Sequence, residues 1–176
     1  MNILKSKNII LRALEPDDLE FLFQTENNSQ LWEFSSTQTP FSKYILKQYL
    51  ANSHQDIYEA KQLRLIIEHD KKPIGMIDLF DYDPQHFRAG IGIVILQKIQ
   101  NKGFANEALK LFIDYSFNIL NLHQLYANIT TDNFKSINLF TKNNFELIGV
   151  KKEWIFSKNT YKDEGLYQLI NNKKHE

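Results

Sequence analysis

The chain has 176 residues, 43% of them apolar, with 21 Lys and Arg against 21 Asp and Glu, and it contains no Cys. Zero formal charge and the lack of a basic stripe argue against a nucleic-acid partner, while the missing Cys excludes disulfides, thiolate nucleophiles and Cys-based zinc sites. No apolar run reaches signal-peptide or membrane-spanning length, so the expectation is one cytoplasmic domain over residues 1–176, with no membrane partner and no metal.

In chain order, Asn8–Leu14 reads as a first strand. Glu15-Pro16-Asp17-Asp18-Leu19 then starts a helix, with Pro and acids in the first turn, where they fit best. Trp32, Phe34 and Phe41 suggest an aromatic loop, Phe41–Leu50 a second helix, and His54–Gln62 a polar connection. Leu63–His69 and Ile74–Phe80 form a hairpin through Asp70-Lys71-Lys72-Pro73, and Asp81–His86 is a loop. Ile91, Ile93, Val94 and Ile95 make a short β-branched run, which favours a buried central strand.

Next comes the turn Gln100-Asn101-Lys102-Gly103-Phe104-Ala105, of the form Q-x-x-G-x-A, and then a helix whose Ala105, Ala108, Leu109, Phe112 and Ser116 recur at helical spacing. A small-residue turn opening a helix leaves backbone N–H groups unpaired, an arrangement suited to an anion. It is neither a G-x-G-x-x-G fingerprint nor a G-K-[ST] P-loop. Leu125–Thr131 alternates as a strand, and Asp132 or Thr131 can cap a helix over Asn133–Asn143, which Asn144 ends in a left-handed conformation. Phe145–Val150, Lys152–Phe156 and Leu166–Ile170 read as closing strands. This order makes an α/β (α+β) mixed sheet with helices on its faces, and places a ligand at the carboxyl end of the central strand, where Ile95 leads into Gln100–Ala105.

The opening I-L-R-x-L-x-x-D-D-L (Ile10 to Leu19), the Q-x-x-G-x-A turn and N-x-x-S-x-x-x-F-x-K-x-x-F (Asn133 to Phe145) together resemble the GNAT superfamily of N-acetyltransferases. The likeness extends over almost the whole chain and is greatest to the branch of spermidine/spermine and ribosomal-protein alanine N-acetyltransferases. It implies a mostly antiparallel twisted sheet with helices on both faces and a parallel central strand pair. It also implies acetyl-CoA as cosubstrate and, as acceptor, a primary amine of a polyamine-like small molecule or of a peptide N-terminus. By the resemblance, the backbone of Ile93, Val94 and Ile95 pairs with the pantetheine arm. Gln100, Asn101, Lys102, Gly103, Phe104, Ala105 and Asn106 hold the pyrophosphate, Asn133 hydrogen-bonds the pantetheine, and Lys142 lies near the CoA. Three positions depart from the pattern, the mildest being Asn144 in place of a Gly. Phe140 stands where many relatives carry a Tyr that protonates the leaving thiolate, and Gly90 where polyamine acetylases tend to carry Glu.

Acetyl transfer needs a neutral amine, and with an ordinary pKa of about 10.4 a primary amine is almost wholly protonated at pH 7. Candidate bases are Asp78 and Asp81, then Asp83 and His86, although Asp81-Tyr82-Asp83-Pro84 is also ordinary turn chemistry. Tyr126 is a candidate substitute acid. Trp32, Glu33, Trp154, Tyr161 and Tyr167 are candidates for an acceptor groove, since aromatics beside carboxylates suit a cationic amine. The same aromatics suit contacts in a homo-oligomer, most simply a dimer. An acyl-CoA sensor without catalysis is the alternative, motivated by Phe140.

Overall fold

The computed structural model describes residues 3–35 and 37–172, with the backbone alone for Glu33 and Phe34. Seven strands form one mixed sheet: β1 (Ile10–Arg12), β2 (Leu63–His69), β3 (Lys72–Asp83), β4 (Arg88–Ile95), β5 (Gln124–Thr130), β6 (Glu146–Ser157) and β7 (Thr160–Ile170). Their spatial order is β1-β2-β3-β4-β5-β7-β6. Every neighbouring pair is antiparallel except β4 and β5, which are parallel. The helices are α1 (Leu19–Glu26), α2 (Ser29–Ser35), α3 (Lys43–Ala51), α4 (Ile57–Ala60), α5 (Phe104–Asn118) and α6 (Phe134–Lys142). Among the described residues no helix is long and apolar enough to cross a membrane.

Strand alternation sends side chains to two cores. Leu65 and Ile67 of β2, Ile77 and Leu79 of β3, and Leu125, Ala127 and Ile129 of β5 pack with Ala108, Leu109 and Phe112 of α5 and with Phe140 of α6. Ile66 and Met76 point the other way, against Leu22 of α1 and Leu46 of α3. Burial on both faces explains the three consecutive apolar residues Leu65–Ile67 of β2.

The structure departs from the sequence reading where the cause is local. Trp32 lies in α2 rather than in an aromatic loop, and the polar connection before β2 contains the single turn α4. The Asp81–His86 loop begins later than expected, because β3 runs on to Asp83 through an irregularity in its pairing with β4. The cap of α6 is Asn133, whose side chain accepts from Ser136 N at 3.2 Å, rather than Thr131 or Asp132. The segments Phe145–Val150 and Lys152–Phe156 form one strand, β6, bent by an irregularity between Lys151 and Ile155 where Glu153 takes a φ of 50°.

Candidate active site

The site is built on a fork in the sheet. β4 pairs with β3 from Gly75↔Ile95 to Asp83↔Arg88, but with β5 only at Arg88↔Gln124, Ala89↔Leu125 and Gly90↔Tyr126. Beyond Gly90 the two strands part, and β5 continues along β7 as far as Thr130↔Glu164. Among the described residues, therefore, no strand lies on the second edge of β4 from Ile91 onward. Its backbone groups face a cleft of about 450 Å³, lined by Ile91–Val94 on one side and Ala127–Thr130 on the other. A strand edge opening on a cleft can take an extended ligand through main-chain hydrogen bonds. Ile93 and Val94 line this cleft, whereas Ile95 is buried just past it.

Past Ile95 the chain makes a tight 3₁₀ turn over Gln97–Ile99 and then enters the Gly-containing turn. The Gln100 side chain folds back, donating from Nε2 to Ile95 O at 3.2 Å, while its Oε1 accepts from Lys135 of α6 at 3.3 Å. Asn101 and Gly103 both have positive φ, 65° and 87°. A Cβ on Gly103 would meet nothing within 4 Å, so backbone conformation rather than space selects glycine there. Gly103 is the N-cap of α5, so the N–H groups that follow it, at Phe104, Ala105 and Asn106, lack intrahelical acceptors and carry the positive end of the helix dipole. Asn106 Oδ1 accepts from Asn143 Nδ2 at 2.9 Å, which ties the start of α5 to the end of α6. Glu107 accepts from Ser6 and Asn8 and so anchors the N-terminal segment to the same turn.

Helix α6 closes the cleft with Asn133, Ser136 and Phe140. Asn133 uses its side-chain oxygen as the cap of the helix. Phe140 is 3% exposed and meets Phe145 edge-on at 5.0 Å. Lys142, at the end of α6, is exposed and does not line the cleft.

The opposite end of the cleft is charged. Arg64 donates from Nε and Nη2 to both oxygens of Asp78 at 2.8 Å and from Nη1 to Glu26, with the Tyr49 ring 5.8 Å from the guanidinium carbon. Burial opposes the Arg64 charge, but Asp78 and Glu26 more than offset that and keep the guanidinium protonated. Asp78 thus faces the cleft as the partner of a fixed cation rather than as a free carboxylate. Thr25 and Glu26 of α1 also line this end. Sequence reading missed Thr25, Glu26 and Arg64, although an Arg inside the run Leu63–Ile67 was a signal that its strand meets a carboxylate on one face.

Other expected site residues lie elsewhere. Asp81 has a φ of 48° at the β3 irregularity and accepts from the Tyr126 hydroxyl at 3.4 Å; neither residue lines the cleft. Burial, and then Asp81, push the Tyr126 hydroxyl pKa up. Asp83 accepts from the N–H groups of Gln85 and His86 at 3.0 Å and from Arg88 at 3.1 Å, which is turn chemistry, and His86 is exposed. Among the described residues, the aromatics expected at an acceptor groove lie apart from one another. Trp32 donates from Nε1 to Glu26 O at 2.7 Å and does not line the cleft. Trp154 is 60% exposed beneath Lys151, Tyr161 is also exposed, and Tyr167 belongs to the core. The Glu33 side chain lies outside the described residues. Among the described residues no group of His, Asp and Glu gathers as a metal site.

Residues 8–146 match the acetyltransferase (GNAT) domain. The spermidine N(1)-acetyltransferase of Escherichia coli strain K12 is 30% identical over 156 residues, which cover 89% of this chain and 82% of that protein. The crystal structure of the spermidine N-acetyltransferase of Vibrio cholerae in complex with CoA and spermine superposes with a TM-score of 0.86 at 30% identity, covering 96% of this chain and 98% of that one. A dodecameric structure of the V. cholerae enzyme gives a TM-score of 0.79 at 31% identity, covering 94% of this chain and 95% of that one.

Proposed function

The chain belongs to the GNAT acetyltransferase family, and on that premise we propose that it transfers the acetyl group of acetyl-CoA to a primary amine of a polyamine-like small molecule. The observation that carries this reading is the unpaired β4 edge from Ile91, leading directly into the left-handed turn at Gly103 and the start of α5. A thioester arm fits along Ile93 and Val94, with its diphosphate against the N–H groups of the turn. The relative solved with CoA and spermine supports a polyamine over a peptide N-terminus as acceptor.

One cleft offering room for both substrates supports direct attack in a ternary complex. The neutral amine nitrogen forms a bond to the thioester carbonyl carbon, the C–S bond breaks, and the amine proton passes to solvent or to a group in the cleft. Backbone N–H groups of the open β4 edge are suited to stabilise the carbonyl oxygen as charge develops on it. Holding both reactants in line supplies much of the acceleration. The thiol has an ordinary pKa near 8.5, so it leaves as thiolate without a dedicated acid. The acceptor enters from the end bearing Thr25, Glu26 and Arg64.

We further infer that residues 1–176 act as one acetyltransferase domain, that the enzyme is cytoplasmic, and that it works as a homo-oligomer, most simply a dimer. The exposed Leu147, Ile148, Trp154, Phe156 and Tyr161 of the β6–β7 hairpin support an assembly surface. Phe140 on the cleft wall favours a second reading, a non-catalytic acyl-CoA sensor. Thiol release from acetyl-CoA across a panel of polyamines, amino sugars and peptide N-termini decides between them. Turnover with polyamines is the expected result, and clear cofactor binding with no turnover on any amine selects the sensor.

A further inference from the structure

The end of the cleft remote from α5 carries an imbalance. Two carboxylates, Glu26 and Asp78, share the single guanidinium of Arg64. Asp78 has both oxygens on Arg64, whereas Glu26 meets it through Oε1 alone, and its Oε2 has no partner among the described residues. Thr25, the preceding residue in α1, is 4% exposed, and its Oγ1 has no hydrogen-bond partner among the described residues although it lines the same cleft. A helical Thr ordinarily returns its hydroxyl to the carbonyl a turn earlier, and leaving such a group unpaired in a buried position is costly. One carboxylate more than the guanidinium balances, and an orphaned hydroxyl on the preceding residue lining the same cleft, are what a cation with several N–H donors would satisfy.

We propose that Thr25 and Glu26 form the subsite that receives a charged ammonium of the acceptor, distinct from the nitrogen being acetylated, with Arg64 fixing the Glu26 carboxylate. This rests on the amine acetyltransferase reading and specifies how that site selects its substrate. The subsite rejects anionic acceptors, because Arg64 is already spent on its two carboxylates. It disfavours acceptors with a neutral tail, because they bring no cation to Glu26 Oε2 and leave the buried Thr25 Oγ1 without a partner. Asp78, held on both oxygens, sets the position of Arg64 and contributes no free acceptor of its own.

Glu26→Gln keeps the shape and an oxygen for Arg64 while removing the charge, and Thr25→Val removes only the hydroxyl. Steady-state rates are compared for spermidine and for hexylamine, which offers a reacting amine without a second charge. In Glu26→Gln the KM for spermidine rises roughly tenfold or more while kcat stays within about twofold, as expected for loss of a charge-assisted contact made before the chemical step. The KM values for hexylamine and for acetyl-CoA do not move, so the preference for spermidine falls. Thr25→Val shifts the spermidine KM in the same direction by a smaller factor. A Glu26→Gln variant with parental spermidine KM overturns the subsite while leaving the acetyltransferase reading intact. If the parent releases no thiol with any amine, that reading fails, and the subsite is judged by calorimetry of spermidine on the CoA-loaded protein. Weaker binding to Glu26→Gln than to the parent then supports it, and equal binding, or none to the parent, overturns it.

Discussion

The ring of Phe80 occupies the space that a side chain on Gly90 would need: a Cβ there would lie 2.2 Å from Phe80 Cε2. Gly90 pairs with Tyr126 where β4 and β5 last touch, and Phe80 meets Tyr126 edge-on with ring centroids 5.9 Å apart. The glycine at the position where polyamine acetylases tend to carry Glu therefore has a packing cause, a phenylalanine on the neighbouring strand that lies across it. Gly90→Ala should destabilise the protein by about 1–3 kcal/mol, the usual range for overpacking. Phe80→Ala should remove most of that penalty when the two changes are combined. Urea denaturation of the four proteins in the cycle measures the coupling, and simple additivity would show that the contact does not constrain the fork.

Gly103 calls for a different kind of substitution. Its φ is 87° and the space around it is open. Gly103→Ala should cost roughly 1–2 kcal/mol through the left-handed backbone, with only a small change in acetyl-CoA affinity. Gly103→Glu adds a negative charge beside the N–H groups proposed to hold the diphosphate, and should weaken acetyl-CoA binding by about tenfold or more, on the scale of a lost charge-assisted interaction. Calorimetry separates the two variants. Equal affinity in the parent and in Gly103→Glu would remove the turn from the cofactor site.

Acid sensitivity should trace to Asp18, which is 3% exposed. Burial alone would raise its pKa, but two hydrogen bonds from Arg12, at 2.7 and 2.9 Å, the Glu15 N–H and the Arg12 charge more than offset that and hold it below the ordinary 3.8. A folded-state pKa below the unfolded one contributes stability above the unfolded value, and that contribution is lost as pH falls through the folded value. Asp18→Asn should therefore cost about 1.5–3 kcal/mol near neutral pH, the range for hydrogen bonds to charged groups. The gap between variant and parent should narrow as pH drops below 3.8. A gap that stays constant down to strongly acid pH would show that the Asp18 charge is not what stabilises this corner.

The strands were legible where one chemical signal repeats over neighbouring residues. Leu63–His69 matches β2 residue for residue, because the strand ends at the Asp70-Lys71 turn, where both residues take positive φ. Asn144 does end α6 in the left-handed conformation, with a φ of 66°. Bends inside an element were not legible. The irregularity near Glu153 looks in sequence like a gap between two strands, and the single turn α4 is too short for its periodicity to show. The fork was visible only in part. The order of elements implies the parallel β4–β5 pair, but the pairing's end at Gly90 depends on partners from separate parts of the chain. The same holds for the charged end of the cleft, where Arg64 and Glu26 lie 38 residues apart and neither anticipates the other.

Phe140 lines the cleft without an ionisable group, and the structure weakens the case for the substitute considered for it. The Tyr126 hydroxyl is turned to Asp81 at 3.4 Å, outside the cleft lining, and its raised pKa makes it a weaker proton donor near neutral pH. Tyr126→Phe should therefore leave turnover at the parental level across pH and change stability little, since the hydrogen bond lost is long and exposed. Phe140→Tyr should leave acetyl-CoA affinity nearly unchanged, because the ring keeps its edge-on contact with Phe145, and should raise turnover modestly by offering a proton to the departing sulfur. The gain is capped because a thiolate already leaves readily. It should fall well short of the roughly 10²–10⁴-fold that general acid catalysis reaches with poorer leaving groups. Rates for both variants, measured across pH with one accepted amine, test the pair. A slower Tyr126→Phe enzyme would bring that hydroxyl back into the proton path. A parent that is inactive until Phe140 becomes Tyr would mean that this chain binds acetyl-CoA without using it.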